Sequence, residues 1–503
     1  MATWYVRSSS SILWTGTTAF TLGQRAVATN AATAVRKFRV YEVTTAGTSG
    51  GSEPAWNSTV GGTTTDGTVT WTCRNPTTWL NANKYLWRVL TLAQITAGDT
   101  IYVSQAHAES QSGSSGTHST TLGSRDTPTF VICADDSAEP PTAVATGAVM
   151  AYVGQINIDS YVCFYGITFK SGDGAAVASH IVIGSNTTLA ISRLVFDHCT
   201  FWLAATAGVS QIMVGEQSSG TIFVADFFSC EFKFGASTSL LGFAGGGFTV
   251  LGGTVTGTAP ATCIFPIVTA VSRALFVAGL DLSLVSGNVF TLSNATCYGS
   301  AIQFVGCRVH ASATMFSGTP SSASGIVAAI NCASNTANYH EKIPHYYGTI
   351  DDDSATFLTG SATDGTTPAS RKMITTANAK RTQPLYSPWI AHWTDTTGAV
   401  TLTVEIFHDG ATAFKDNEVW VEVMYPGDAS SPRSALITDA SDVLAAGANQ
   451  DSSSASWTNS AGTPNAQKLV VTPTVQAKGL ILARVANGKA STTLWYNHRV
   501  IQT

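Results

Sequence analysis

The sequence predicts an all-β chain organised around a parallel β-helix, and three observations carry that expectation. First, the 503 residues are short of charge (11%) and rich in glycine (45). That composition suits short strands and turns better than long helices. Second, the middle of the chain repeats itself. Third, the last third changes to alternating apolar and polar segments broken by Gly, Asp, Ser and Asn turns.

The repeat is seen by setting "CFYGITF" (163–169) above "VFDHCTF" (195–201), "DFFSCEF" (226–232), "TVLGGTV" (249–255), "FVAGLDL" (276–282), "QFVGCRV" (303–309) and "AAINCAS" (328–334). The reference column reads Ile167, Cys199, Cys230, Gly253, Leu280, Cys307 and Cys332, at spacings of 23 to 32 residues. Three positions earlier stand Phe164, Phe196, Phe227, Val250, Val277, Phe304 and Ala329. Five earlier stand Val162, Leu194, Ala225, Phe248, Leu275, Ile302 and Val327. Two later stand Phe169, Phe201, Phe232, Val255, Leu282, Val309 and Ser334, apolar but for the last. Immediately before the reference come Gly166, His198, Ser229, Gly252, Gly279, Gly306 and Asn331, residue types suited to tight or left-handed corners. Each unit is therefore a strand, a corner and a second strand. Units of about 20–30 residues with short strands signify coils stacked at about 4.8 Å, with like residues in ladders.

This pattern disposes of a tempting motif. "FDHCTF" (196–201) sets an acid, an imidazole and a thiol side by side, but successive strand residues aim at opposite faces. Cys199 is expected inside, beside Cys230, with His198 as a corner residue and no catalytic role for the trio. The nine cysteines are odd in number and contain no CxxC pair, so neither a disulfide framework nor a zinc site is expected.

Three domains are expected. Residues 1–94 form a small β module, in which Asp66-Gly67 turns a hairpin into "TVTWTC". Residues 95–347 form the β-helix, entered near "AGDTIYVSQAHAE" (97–109) and left near "NYHEKIPHYY" (338–347). Residues 348–503 form an antiparallel β-sandwich from "VTLTVEIF" (400–407), "EVWVEVMY" (418–425), "KLVVTPT" (468–474), "GLILARVA" (479–486) and "TTLWYNHRVI" (492–501).

Net charge is −5 without a basic cluster, which excludes nucleic acid as the expected partner. No apolar run approaches the roughly 18 residues of a membrane span. The start "MATWYVRSSS" lacks a secretory signal's basic-then-apolar order, so synthesis in a cytosol is expected.

Paired carboxylates about 5–10 Å apart are what polysaccharide hydrolysis requires. Glu231 and Asp281 share an outward column two coils apart, and Asp226 lies across a corner from Glu231. Solvated surface acids are the expected reading of all three, with Asp226, Glu231 and Asp281 the alternative catalytic set. Arg193, Lys233, Arg273 and Arg308 are dispersed along the sequence and form no evident cluster for an acidic sugar. Trp56, Trp71 and Trp202 are the indoles considered as stacking surfaces for a glycan. "DDD" (351–353) and "DNE" (416–418) read as turns rather than Ca²⁺ sites, and His340 and His345 as residues capping the helix end. Gly245-Gly246-Gly247 is followed by neither helix nor lysine and is no phosphate cradle. No cofactor or metal is expected.

The order of a β module, a β-helix and a sandwich resembles virion proteins of tailed bacteriophages: tailspikes, fibre-like proteins and capsid decoration proteins. The "SEPAW…GG…TDGTVTW" stretch (52–71) is similar to a segment recurring in phage tail and fibre proteins, and "AGDTIYV" (97–103) to a common first coil of β-helices. The resemblance implies a right-handed helix, homotrimers along its axis, assembly in the host bacterial cytoplasm, and other virion proteins of capsid or tail as partners. Three helix faces packed together also accord with the low charge. The functional expectation is a non-enzymatic structural protein on the virion surface, a capsid decoration protein, head fibre or tail component. The alternatives are a tailspike depolymerase cleaving host surface polysaccharide and a non-cleaving glycan-binding adhesin.

Overall fold

The computed structural model describes residues 2–317 except short segments (30–31, 91–93, 112–114, 119–121, 124–127, 159–161, 175–177, 185–192, 215–223, 244–245, 267–272 and 292–301), and beyond them chiefly the strands between 327 and 502. It is a right-handed parallel β-helix carrying two smaller β units.

Three parallel sheets form the helix. The first face collects Thr100–Ser104, Thr129–Ala134, Val162–Tyr165, Arg193–Asp197, Val224–Phe228, Gly246–Leu251, Arg273–Ala278, Ile302–Val305 and Val327–Ser334. The second runs from Ala108–Gln111 through Ile167–Ser171, Thr200–Leu203, Glu231–Phe234 and Thr254–Gly257 to Arg308–Val309. The third is an eight-stranded sheet from Ser115–His118 to Thr314–Ser317. Strand pairing follows the sequence columns. Phe164, Phe196, Phe227, Val250, Val277, Phe304 and Ala329 lie in register on one face. Thr168, Thr200, Glu231, Thr254, Asp281, Arg308 and Ala333 do so on the next.

The corner column explains the bend between these faces. Gly166, His198, Ser229, Gly252, Gly279 and Gly306 all have φ between 49° and 69°. The left-handed conformation turns the chain from one sheet into the next within a single residue, which glycine does without steric cost. Gly253, one position on, has φ 89° and lies against Cys230, so that an added Cβ would stand 2.1 Å from the Cys230 carbonyl oxygen.

Inward columns make one continuous core. Phe164, Phe196 and Phe227 stack with centroids 5.4 and 5.3 Å apart, and Phe169, Phe201 and Phe232 with centroids 5.5 and 5.8 Å apart. The two stacks meet edge to face, as at Phe196–Phe201 (4.9 Å, 82°), the arrangement favoured by the ring quadrupole.

Eight of the nine cysteines lie among the described residues, all free and buried; Cys297 lies outside them. Burial pushes the Cys133 thiol up to about 11 and Cys263 to about 12, and raises Cys199 and Cys230 further. Since the thiolate is the reactive form, the native protein should react little with an alkylating reagent at pH 7. After denaturation without reductant all nine thiols should titrate. Two or more disulfides would contradict the ladder.

The N-terminal boundary differs from the expected clean break at residue 94. Strand Thr3–Val6 pairs in parallel with Thr100–Ser104 and so forms the lowest rung of the first face. The five-stranded sheet of Ile12–Leu13, Arg25–Val27, Val40–Thr45, Thr63–Asp66 and Val69–Arg74 is an excursion from that rung. Two short helices, Ala34–Phe38 and Leu86–Leu90, close the end of the barrel, with Phe38, Leu86, Val89 and Leu90 joining the helix core. The buried Glu109 carboxylate accepts the Leu86 and Trp87 backbone N–H groups at 2.8 and 3.2 Å, anchoring that cap. Sequence spacing missed this because the capping residues carry no repeat.

At the other end, Lys342–Tyr347 pairs antiparallel with Val327–Ser334 and stops the parallel array. Beyond it lie two antiparallel sheets, one built on Leu402–His408 and Asn465–Val471, the other on Val419–Met424 and Gly479–Asn487. Val419–Met424 and Ala445–Ala448 of the second lie against Asn465–Val471 of the first. Leu402, Val404, Val421, Ala483 and Val485 are buried, which fits the sandwich. The stretches "DDD" (351–353) and "DNE" (416–418), His340, and the His345 side chain lie outside the described residues.

Candidate functional site

Outward positions of the second face gather the unusual surface chemistry. Glu231 follows the Ser229–Cys230 corner, and its carboxylate is held between coils. Thr200 Oγ1 donates to its Oε2 at 3.1 Å and Thr256 Oγ1 to its Oε1 at 2.5 Å. Asp281 stands in the same column with Thr254 between them. Two rungs put the backbones roughly 9.6 Å apart, at the limit of an inverting pair. Asp281 already faces Arg308 at 3.7 Å, both side chains more than a third exposed, a contact of little energetic weight.

Asp226 does not belong to this surface. It is outward on the first face yet fully buried, beside Val195, Phe228 and Thr249, which are buried as well. The expectation of a solvated acid there is corrected: the outer side of that face is itself covered at this level. Trp56 and Trp71 are likewise buried, in the core of the N-terminal sheet. Trp56 stacks on Tyr41 at 4.1 Å and donates Nε1–H to Glu53 at 2.8 Å. Neither ring presents a surface to a sugar.

Trp202 is partly exposed on the second face, between Lys170 and Lys233 in the neighbouring rungs. The Lys170 ammonium lies 4.1 Å from the ring centroid and that of Lys233 4.0 Å. Each cation–π contact contributes roughly 0.5–2 kcal/mol. The indole is a post between two ammoniums rather than a stacking shelf. Lys170 also bonds Asp173 at 2.6 Å, whereas among the described residues no carboxylate forms an ion pair with Lys233. Arg193 and Arg273 begin strands of the first face. The register could be read from the repeat columns; that lysines flank a tryptophan there could have been found by extending the columns one outward position further.

His198 stands at the corner, as expected, with its Nδ1 2.7 Å from Asp197 Oδ1. The φ of 52° at His198 swings its side chain out of strand alternation. Asp197 is buried, the imidazole is 47% exposed, and its ring lies 5.3 Å from that of Tyr165 one rung below. Cys199 turns inward as expected, fully enclosed, its Sγ directed at the Asp197 carbonyl. It is no nucleophile.

No family model matches the chain, and no curated protein matches it. Among solved structures it is similar to a tailspike protein, gp49, of Acinetobacter baumannii bacteriophage Fri1, described as a capsular polysaccharide depolymerase. The identity is 10% and the TM-score 0.25, over 98% of this chain and 100% of that one. It is also similar to the enzymatically active domain of tailspike protein 4 of bacteriophage CBA120, at 10% identity and TM-score 0.20, over 99% of this chain and 77% of that one.

Proposed function

We propose that this chain is a tail component of a bacteriophage virion that engages host surface polysaccharide along the second face of its β-helix. The observation that carries the reading is the Lys170–Trp202–Lys233 ladder, with Glu231 held by two threonines beside it. Rungs repeat at about 4.8 Å, so the face offers a linear polymer a row of fixed donors, acceptors and charges. A decoration protein, the first expectation from sequence, needs only bland outward walls, and this face is not bland. Placement in a tail rests on the sequence resemblance, as does assembly into homotrimers, which would set three such faces around one axis.

Purified protein should bind capsular or O-antigen polysaccharide of the producing host in calorimetry. Lys233→Ala and Trp202→Ala should each weaken binding by about tenfold, of the order of one charged or cation–π contact. Affinity should fall with salt. A folded protein that binds none of these polymers, present in hundreds of copies on the head, would return the decoration reading to first place.

A further inference from the structure

The first 94 residues carry a charge that the chain's net value hides. They hold eight of the 26 Lys and Arg but three of the 31 Asp and Glu, so this part is +5 in a chain of −5. All three acids are engaged. Asp66 accepts from the Trp14 and Trp71 indoles, Glu53 from the Trp56 indole and the Thr29 backbone N–H, and Glu42 pairs with both Arg25 and Arg74. Among the described residues no carboxylate pairs with Arg36, Lys37, Arg39 or Lys84, all half-buried. Apolar exposure is concentrated in the same part. Of the seven exposed large apolar side chains among the described residues, five are Ile12, Leu13, Leu22, Val60 and Leu80. Leu22 at 71% and Leu80 at 59% are the barest. Hydrogen bonds bring four of these chain positions together. The Arg25 guanidinium donates to the Gly23 carbonyl and to Asn81 Oδ1, both at 2.7 Å, and so ties the turn carrying Leu22 to the segment carrying Leu80. Ser10 Oγ donates to the Trp79 carbonyl at 2.8 Å. Ile12–Leu13 follows and pairs with Ala26–Val27 as the edge of its sheet. Sheet edges are usually blunted by charge or proline, and this one carries two exposed apolar residues. Asn83 donates to the Lys37 and Phe38 carbonyls at 3.1 and 2.9 Å. The segment 79–84 thus connects the exposed leucines to the cations of 36–39 and to Lys84.

We propose that this edge of the N-terminal unit is a docking surface for an acidic protein of the same particle, with Leu22 and Leu80 as apolar anchors beside a basic rim; this rests on the reading of the chain as a virion tail component. The charge selects the occupant. A second copy of the unit would set positive charge against positive charge, which opposes association. Branched aliphatic side chains give a sugar ring no flat surface to stack on, so the polysaccharide of the second face is not the occupant. A protein surface of opposite charge answers both features. The leucines lose water against its apolar side chains, and the cations steer the encounter and fix its orientation. An apolar centre with a polar rim is the usual anatomy of such a contact.

The test uses the full chain and phage particles made without it. The chain is supplied either during infection or to finished particles, and attached copies are counted after sedimentation. Native protein should attach to tails, and more weakly as salt rises. Leu22→Ser combined with Leu80→Ser should weaken attachment at least about tenfold. Both side chains are mostly exposed in the free chain, so Tm and polysaccharide binding should stay native. Arg36→Glu with Lys37→Glu should weaken attachment by a similar factor and flatten its salt dependence. Undiminished attachment of the leucine variant would overturn the inference and leave the tail reading intact. Attachment indifferent to salt and to the charge reversals would do the same. Self-association of the purified chain that the leucine variant abolishes would make a second copy the occupant and overturn the acidic partner. Attachment to heads rather than tails, still lost in the variants, would remove the tail reading and keep the surface. Failure of the native chain to attach by either route would remove both.

Discussion

Phe201→Ala is expected to lower the stability of the β-helix by about 3–5 kcal/mol, the range for deleting a buried aromatic ring. The side chain is fully buried and touches rings on every side. It stacks between Phe169 (5.5 Å) and Phe232 (5.8 Å), and meets Phe196 (4.9 Å) and Phe227 (5.3 Å) edge to face. The neighbours are strands pinned by backbone hydrogen bonds to the rungs above and below, so they cannot collapse into the hole. In a stacked array a weakened rung also weakens the coupling of its two neighbours. The comparison is Thr200→Ala, one residue away and outward. Its hydroxyl donates to Glu231, so the cost should be about 1 kcal/mol rather than nothing. Guanidinium denaturation of both variants checks the pair. Equal losses would mean that inside and outside have been exchanged.

The inside–outside pattern was legible because a β-helix writes its geometry into the sequence at a fixed offset. Each coil must present an apolar side chain at the same two points of each strand and a left-handed residue at the same corner. Seven rungs therefore agree column by column with the observed register. The hairpin at Asp66-Gly67 was legible for a local reason: Gly67 has φ 63°, and an added Cβ would stand 2.3 Å from the Thr48 carbonyl oxygen. The C-terminal strands followed from alternation, as at Leu402 and Val404. The cap was not legible. Residues 34–38 and 86–90 form single helical turns whose place is set by contacts with the first coil, far away in sequence.

The candidate site was legible only where it shares the ladder's periodicity. Glu231 and Asp281 fell in one column because strand pairing put them there. Asp226 misled, since alternation tells which side of its own sheet a residue faces and not whether that side is covered. His198 was legible as a corner residue and Cys199 as an inward one, but the bond between His198 and Asp197 was not. Alternation describes extended backbone, and His198 occupies the corner where that description ends. A non-glycine residue in a column otherwise dominated by glycine was the available signal.

Asp66→Ala is expected to cost the N-terminal sheet about 3 kcal/mol or more, enough to unfold it ahead of the β-helix. The carboxylate is 4% exposed and accepts three hydrogen bonds from three separate parts of the module. The Gly50 N–H reaches Oδ1 at 2.7 Å, and the indole N–H groups of Trp14 and Trp71 reach Oδ2 at 2.8 and 3.2 Å. Bonds to a charged acceptor are worth about 1.5–3 kcal/mol each, and a buried donor stripped of its partner costs about 1–3 kcal/mol. Trp71 is enclosed in the core it shares with Trp56, Phe20 and Tyr41. Asp66→Asn, which keeps one acceptor oxygen but brings an NH₂ group toward donors, should fall between native protein and the alanine variant. Of the chain's twelve tryptophans, Trp14, Trp56 and Trp71 lie in the module's core, so its unfolding should appear as a separate step in tryptophan fluorescence, while far-ultraviolet circular dichroism follows the more numerous strands of the helix. In the alanine variant the fluorescence transition should come first and the dichroism transition should stay near its native midpoint, since the Phe stacks and the inward columns are untouched. A fluorescence midpoint unchanged from native would show that the indoles find other acceptors and that the turn carboxylate does not tie the module together.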